Sequence, residues 1–153
     1  MQVEQGPFEI RPARLEDSER LADLCTQLGY PSTPDEVRNR LAVIDRLTDQ
    51  QVLVAVEASQ RVVGWIHAFV YRVLESAPMV EIGGLVVDQA VRGGGIGQAL
   101  LGEVEAWAAT QAIETVSLRS NVIRVQAHEF YRRHGYTVPK VQLVFRKKLQ
   151  LIE

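Results

Sequence analysis

The chain has 153 residues, 46% hydrophobic and 24% charged, with a formal net charge of −2, which fits one globular domain with a proper core and leaves no room for two independent ones. That charge argues against a general affinity for nucleic acid or acidic membranes, both of which are held mainly by clustered positive charge, and no apolar run approaches the roughly 18 residues of a membrane helix. The single cysteine, Cys25, rules out an intrachain disulfide and agrees with a reducing, cytoplasmic setting; the opening residues MQVEQGPFEIRP contain acids and no apolar stretch, so no secretion signal is expected there.

In chain order, FEIRP predicts a short first strand. Glu16 and Asp17 then suit the first turn of a helix whose apolar residues Leu21, Leu24, Cys25 and Leu28 recur at helical spacing up to Gly29. The second helix has a sharper start: Thr33 as cap, Pro34 at the first helical position, Glu36 completing a capping box, and Val37, Leu41 and Ile44 as the apolar stripe. QVLVAVEA, RVVGWIHAFVYRVL and MVEIGGLVVD read as three strands of an antiparallel meander, the first two joined by a polar turn near Ser59. A third helix is expected from about Gly95 to Gln111, with Ile96, Leu100, Val104 and Trp107 on one face. ETVSLRSN is a further strand. A fourth helix carrying Ala127, Phe130, Tyr131 and His134 closes at Gly135 as a left-handed cap, with Tyr136 beyond it. TVPKVQLVFRKKL predicts a last strand or two short ones, with RKK on a solvated strand edge. No repeat, low-complexity stretch or linker interrupts the order, so residues 1–153 are expected to form a single domain.

This order is α+β with a mixed sheet. MVEIGGLVVD, the following helix and ETVSLRSN make a βαβ crossover, whose two strands run parallel. Between them VRGGGIGQALL places its glycines at the carboxyl end of a strand and the amino end of a helix. A helix start offers unpaired N–H groups and a partial positive charge, and glycines let a pyrophosphate approach the chain, so the loop is a candidate phosphate cradle. It is not a P-loop, because no Lys followed by Ser or Thr opens the helix. The dinucleotide fingerprint GxGxxG fails too: its third glycine would fall on Gln98 or Leu100. Upstream, Gly83 and Gly84 interrupt a β-rich run and predict a bulge or a close backbone approach.

The pattern Arg92-x-x-Gly95-x-Gly97, preceded by EIGGLVVD and followed by an amphipathic helix, resembles the coenzyme A pyrophosphate loop of the GNAT family of N-acetyltransferases. The likeness extends along most of the chain. IRPARLED resembles the family's first strand and the start of its first helix, VVGW occupies the place of its third strand, and AHEFYRRHGY is similar to its motif B. The resemblance implies the acyl-CoA N-acyltransferase fold, a mixed, mostly antiparallel sheet of six or seven strands flanked by four helices. It implies acetyl-CoA as co-substrate, its pyrophosphate held by Arg92, Gly93, Gly94, Gly95, Ile96, Gly97 and Gln98. Its pantetheine arm would lie along the strand edge freed by the bulge, where main chain at Leu85, Val86 and Val87 faces the thioester. Tyr131 matches the tyrosine that protonates the departing thiolate. Glu81 stands where several members place a base carboxylate, although alternation also reads it as solvent-facing, and water can serve instead. In much of the family an Asn seven residues before that tyrosine contacts the coenzyme arm; here the position is Arg124, and the nearest Asn is Asn121, so the contact is left open between them.

Other residues carry weaker signals. His67 on the third strand could reach an acceptor, but a lone strand histidine reads as structural. His128 and His134 lack the i, i+4 spacing of a helical metal pair, and no metal is expected. No GxSxG elbow or Cys/His constellation offers a hydrolase nucleophile. Tyr30, Asp35 and Glu36, between the N-terminal helices, are acceptor-contact candidates, with Glu36 already explained by capping. The expected function is acetyl-CoA-dependent acetylation of a primary amine, on an aminoglycoside- or polyamine-like small molecule or a peptide, by direct attack in a ternary complex. The alternatives are a non-catalytic acyl-CoA-binding or sensing domain and a nucleotide-binding domain. No nucleic acid or membrane partner is expected; homodimers are common in the family, and the sequence itself does not decide the oligomeric state.

Overall fold

The strand patterns assemble into one five-stranded sheet. In this computed structural model, which describes residues 7–152, β1 (Phe8–Pro12), β2 (Gln50–Glu57), β3 (Val62–Val73), β4 (Ser76–Val87) and β5 (Val116–Leu118) lie across the sheet in chain order. Residues 1–6, half of the stretch expected to carry no secretion signal, lie outside the described residues. The first four strands pair antiparallel and β5 joins β4 in parallel, as a crossover through helix α3 (Ile96–Thr110) requires.

Each face of the sheet is covered by a different part of the chain. On β3, Ile66, Ala68 and Val70 are buried on one face. Gly64 shares that face by the two-residue period, and a side chain there would come within 3.2 Å of Ile96 and 3.4 Å of Leu100, so α3 packs directly on it. On the opposite face Trp65 packs against a cluster of Leu21, Ala22 and Leu24 from α1 (Ser18–Leu28), Val37 and Leu41 from α2 (Pro34–Ile44), and Val54 and Val86 from the sheet. Leu24 and Leu100, one on each side, are fully buried; truncating such a leucine to alanine costs about 2–5 kcal/mol.

The helix ends follow the sequence signals with one adjustment. Residues Leu15–Asp17 form a 3₁₀ turn before α1. Asp17 is held there by both terminal nitrogens of Arg11, at 2.8 and 3.0 Å, and by the Arg14 N–H at 2.8 Å, which ties β1 to the helix. α1 stops at Gly29, whose φ is +101°. The capping box of α2 is formed: the Glu36 N–H donates to Thr33 Oγ1 at 3.1 Å and the Thr33 N–H donates to Glu36 Oε1 at 2.9 Å.

The chain separates into two units, the first ending at Arg119 and the second beginning at Ser120. In the second, α4 (Val125–Arg133) closes as expected: Gly135 has φ +90°, and the Tyr136 N–H donates to the Tyr131 carbonyl at 3.0 Å. The last strand is a correction. The sheet has five strands, not six or seven, because residues 137–152 join no strand pairing among the described residues, and Val141, Leu143 and Phe145 are exposed. Apolar alternation supplies the face of a strand, but a strand also needs a neighbouring backbone to complete its hydrogen bonds, and alternation does not provide one.

Candidate active site

The glycine pair in β4 forms the expected bulge. Ala68 pairs with Ile82 and His67 with Gly84, so Gly83 is the extra residue on β4. Pairing with β5 covers Val80, Ile82 and the residue between them, and stops one residue before the bulge. Beyond that point β4 has β3 on one side and no strand on the other among the described residues. The Asp88 N–H donates to the Val63 carbonyl at 2.8 Å. Because alternate residues direct their backbone groups to the same side, Val86 also faces β3, while the N–H groups of Leu85 and Val87 face the open edge. The Val86 side chain is buried in the core. Gly84 is bare for a local reason: a Cβ there would lie 2.7 Å from the Trp65 ring.

The open edge leads into the glycine loop. Gly93 and Gly95 have φ of +87° and +83°, where a side chain would be strained. Gly95 is the N-cap of α3 and makes no side-chain cap, so the first-turn N–H groups of the helix are left for an external acceptor. Arg92, Gly93, Gly94, Gly95 and Gln98 are exposed, Gly97 is half-buried, and Ile96 anchors the helix in the core. Arg92 folds back, its Nε donating to the Val87 carbonyl at 3.3 Å. This combination of free N–H groups, positive helix end and unobstructed backbone fits a pyrophosphate.

A buried acid fixes the loop's base. Asp88 caps the 3₁₀ turn Gln89–Val91 by accepting the Ala90 N–H at 3.1 Å, and its other oxygen accepts Arg20 Nη2 from α1 at 2.8 Å. Gln27 adds a bond from its amide to Asp88 at 3.4 Å and accepts the Gln89 N–H at 3.0 Å. The Ala90 N–H, with the Arg20 and Gln27 bonds, outweighs burial and holds the Asp88 carboxyl below its ordinary range. Sequence reasoning missed this network; the one available signal was an Asp at a strand end just before a turn.

On the face carrying Trp65, the bulge is followed outward by Phe69 and, paired with it, Glu81. Glu81 is buried at 8% exposure, contrary to the solvent-facing reading. Its Oε1 lies 3.3 Å from Arg119 Nε, and the Arg119 side chain is largely exposed. His67 shares this face by the β3 period and lies half-buried. Tyr30 is exposed at 69%, Asp35 is exposed, and Glu36 is engaged with Thr33 and Arg40.

The second unit carries the remaining candidates. Asn121 Oδ1 accepts the Ile123 N–H at 3.1 Å, and its carbonyl accepts the Arg124 N–H at 3.0 Å and His128 Nε2 at 2.9 Å, so the residue builds the turn into α4. Arg124 is the N-cap residue of that helix. Tyr131 packs edge-on against Phe130 and Tyr136, with centroids 5.2 and 5.8 Å away. Burial pushes its phenol pKa up, against a smaller opposing effect of Arg124, so the hydroxyl is protonated at neutral pH. His134 Nδ1 donates to the Phe130 carbonyl at 2.7 Å, a structural role.

The family model for the acetyltransferase (GNAT) family matches residues 16–136. The chain belongs to that family. Among curated proteins it is 33% identical over 76 residues to an aminoglycoside N(6')-acetyltransferase type 1 of Stenotrophomonas maltophilia, a match spanning 50% of this chain and 50% of that protein. The alignment therefore covers about half the length of that relative. Among solved structures, an aminoglycoside antibiotic 6'-N-acetyltransferase from Acinetobacter baumannii superposes with a TM-score of 0.81 at 19% identity, covering 94% of this chain and 99% of that one. Glucosamine-6-phosphate N-acetyltransferase from Arabidopsis thaliana gives 0.79 at 19%, covering 92% and 99%. A protein from Bacillus halodurans described as a transcriptional regulator gives 0.81 at 19%, covering 92% and 99%. At these identities the structures share the fold, and their different described roles show that this GNAT fold does not fix an acceptor.

Within this member of the family, the first unit brings Glu81, the open edge at Leu85 and Val87, and the loop from Arg92 to Gln98 onto one strand-to-helix turn. Asn121 and Tyr131 share the other unit, on the approach to α4 and on the helix itself. Among the described residues, no group of three or more His, Cys, Asp or Glu side chains is arranged to hold a metal, and no helix is long and apolar enough to cross a membrane.

Proposed function

We propose that this chain is an acetyl-CoA-dependent N-acetyltransferase that acetylates a primary amine, on an aminoglycoside- or polyamine-like small molecule or a peptide, by direct attack in a ternary complex. Residues 1–153 work as one catalytic domain in the cytoplasm. The observation that carries this reading is the end of β4–β5 pairing one residue before the bulge. It leaves a strip of backbone donors running straight into the bare start of α3. Such an edge takes an extended pantetheine arm as a sheet takes an added strand, and the loop at its end takes the pyrophosphate.

Acetyl-CoA supplies the activated acetyl group as a thioester. The Leu85 and Val87 N–H groups, unused by β3, are the donors available to its carbonyl. The loop backbone, Arg92 and Gln98 hold the phosphates, and Asn121 offers an amide donor to the coenzyme arm. Glu81 draws a cationic amine to the bulge and takes a proton from it, so that the neutral amine can attack; alkyl amines with a pKa near 10.4 are mostly protonated at neutral pH, so a base there is useful. Tyr131, a phenol protonated at neutral pH, donates to the departing thiolate.

The test is an amine panel, with kanamycin A, spermidine and a lysine-containing peptide, assayed for free-thiol release from acetyl-CoA. Acceptor-dependent release is the expected result. Tight acetyl-CoA binding without release from any acceptor would mark a sensing or binding domain, and preference for ATP or NAD would mark a nucleotide-binding one.

A further inference from the structure

His67 was read from the sequence as a structural histidine, yet its surroundings suit a ligand. Its Nε2 lies 2.7 Å from Gln50 Oε1. An amide oxygen only accepts, so that nitrogen carries the proton and Nδ1 is left as a bare acceptor. Nδ1 borders the bulge: a Cβ on Gly83 would stand 3.2 Å from it and 3.3 Å from the Phe69 ring. Gly83 is exposed although it sits within a strand, directly after buried Ile82, so the space beside Nδ1 is open. Among the described residues no hydrogen bond uses Nδ1. Burial pushes the imidazole pKa below its ordinary value, which keeps the ring neutral at neutral pH. The Phe69 ring lies 5.7 Å away, and Glu81 is paired across from Phe69 on the same face.

A neutral nitrogen acceptor and an aromatic ring on one face beside an opening, with the Arg119-paired carboxylate of Glu81 next along the sheet, have a definite chemical complement. They suit a cation with several N–H donors, which a primary ammonium or amine has and a tertiary or quaternary one lacks. We propose that His67 reads the acceptor: its Nδ1 accepts one N–H of the primary amine at the bulge, and Gln50 is the positioning residue that fixes the tautomer. This rests on the acetyltransferase reading, and it adds a specificity determinant on β3 to the acid of β4. The glycine at position 83 then has a role beyond the bulge, because any side chain would cover Nδ1.

The experiment has two arms on the full-length protein. In the first, nitrogen-15 spectra of ring-labelled histidine are recorded at neutral pH, alone and with kanamycin A or spermidine added in the presence of coenzyme A. Nε2 of His67 should be protonated and Nδ1 bare, Nδ1 should move on amine addition, and Gln50→Leu should mix the two tautomers. A proton on Nδ1 in the free protein overturns the proposal. In the second, His67→Phe keeps a ring and removes the acceptor; it should raise the amine KM about tenfold, the loss of one hydrogen bond to a charged group, with the acetyl-CoA KM unchanged and kcat little altered. His67→Asn, which retains an acceptor near Nδ1, should recover part of the loss. Turnover with an unmoved Nδ1 and an unchanged KM in folded His67→Phe overturns this contact and leaves the acetyltransferase reading standing. An Nδ1 that moves without turnover of any amine overturns the catalytic reading and keeps the contact. Neither turnover nor movement overturns both.

Discussion

Gly84, inside β4, and Gly95, at the start of α3, flank the same strand-to-helix turn, and they are glycine for different reasons. Gly95 sits at φ +83° with nothing within 4 Å of where a side chain would start, whereas Gly84 shows no left-handed φ and would put a Cβ 2.7 Å from the Trp65 ring. The first position is bare because of its backbone conformation and stands open to solvent. The second is bare because a neighbour already fills the space. A conformational glycine keeps a place for something from outside, while a crowded glycine secures the packing that holds the place still. A substitution should therefore damage binding at one site and folding at the other.

The largest expected effect is at the loop. Gly95→Val puts a β-branched residue at a positive φ and in the path of the phosphates, so calorimetry should detect no acetyl-CoA binding at millimolar ligand while the circular dichroism of the fold persists. Normal affinity in the folded variant would remove the cradle assignment. A variant in neither region comes next. Tyr131→Phe should lower kcat by roughly 10²-fold, the lower end of general acid catalysis, with melting temperature and acetyl-CoA affinity unchanged; more than half the wild-type kcat, with chemistry limiting, would return Tyr131 to a packing role. Gly84→Ala should lower stability by about 1–3 kcal/mol through overpacking against Trp65, read from denaturant midpoints, and should spare acetyl-CoA affinity in the fraction that folds. A fully stable Gly84→Ala would erase the distinction between the two glycines.

The smallest effect concerns the acid that stands between them. Asp88 is held below its ordinary pKa, so the stability it contributes is fully present above the unfolded value near 3.9 and is lost as pH falls through the lower folded value. The wild-type melting temperature should decline below about pH 4, and Asp88→Asn, less stable at neutral pH, should show a shallower decline there. An equal slope in both would place the acid sensitivity elsewhere.

Local grammar made most of the frame readable. Thr33, Pro34 and Glu36 announced α2, Gly135 announced the end of α4, and two glycines inside a β-rich run announced the bulge, because each signal acts within a few residues. The glycine loop that opens α3 was legible for the same reason. What escaped the sequence depends on partners far along the chain. Asp88 meets Arg20 across 68 positions, and no local pattern pairs them. Glu81 is buried, paired with Phe69 on β3 and Ser117 on β5, whereas alternation alone pointed it outward. Residues 137–152 show the reverse case: Val141, Leu143 and Phe145 alternate as strand residues do, yet remain exposed because alternation names no backbone to pair with.

The single extra residue at Gly83 also changes the parity of β4. In an uninterrupted strand, positions separated by an odd number point to opposite faces. Glu81 and Val86 are so separated, yet they pair with Phe69 and Trp65, which are on the same face of β3. The bulge thus lets one strand present an acid at one end and a core valine at the other toward the same side. Deleting either glycine would restore strict alternation and force a choice: with Val86 kept in the core, Glu81 would turn toward α3, and with Glu81 kept in place, Val86 would leave the hydrophobic cluster. The strand is therefore expected to tolerate substitution along its length far better than a change in its length.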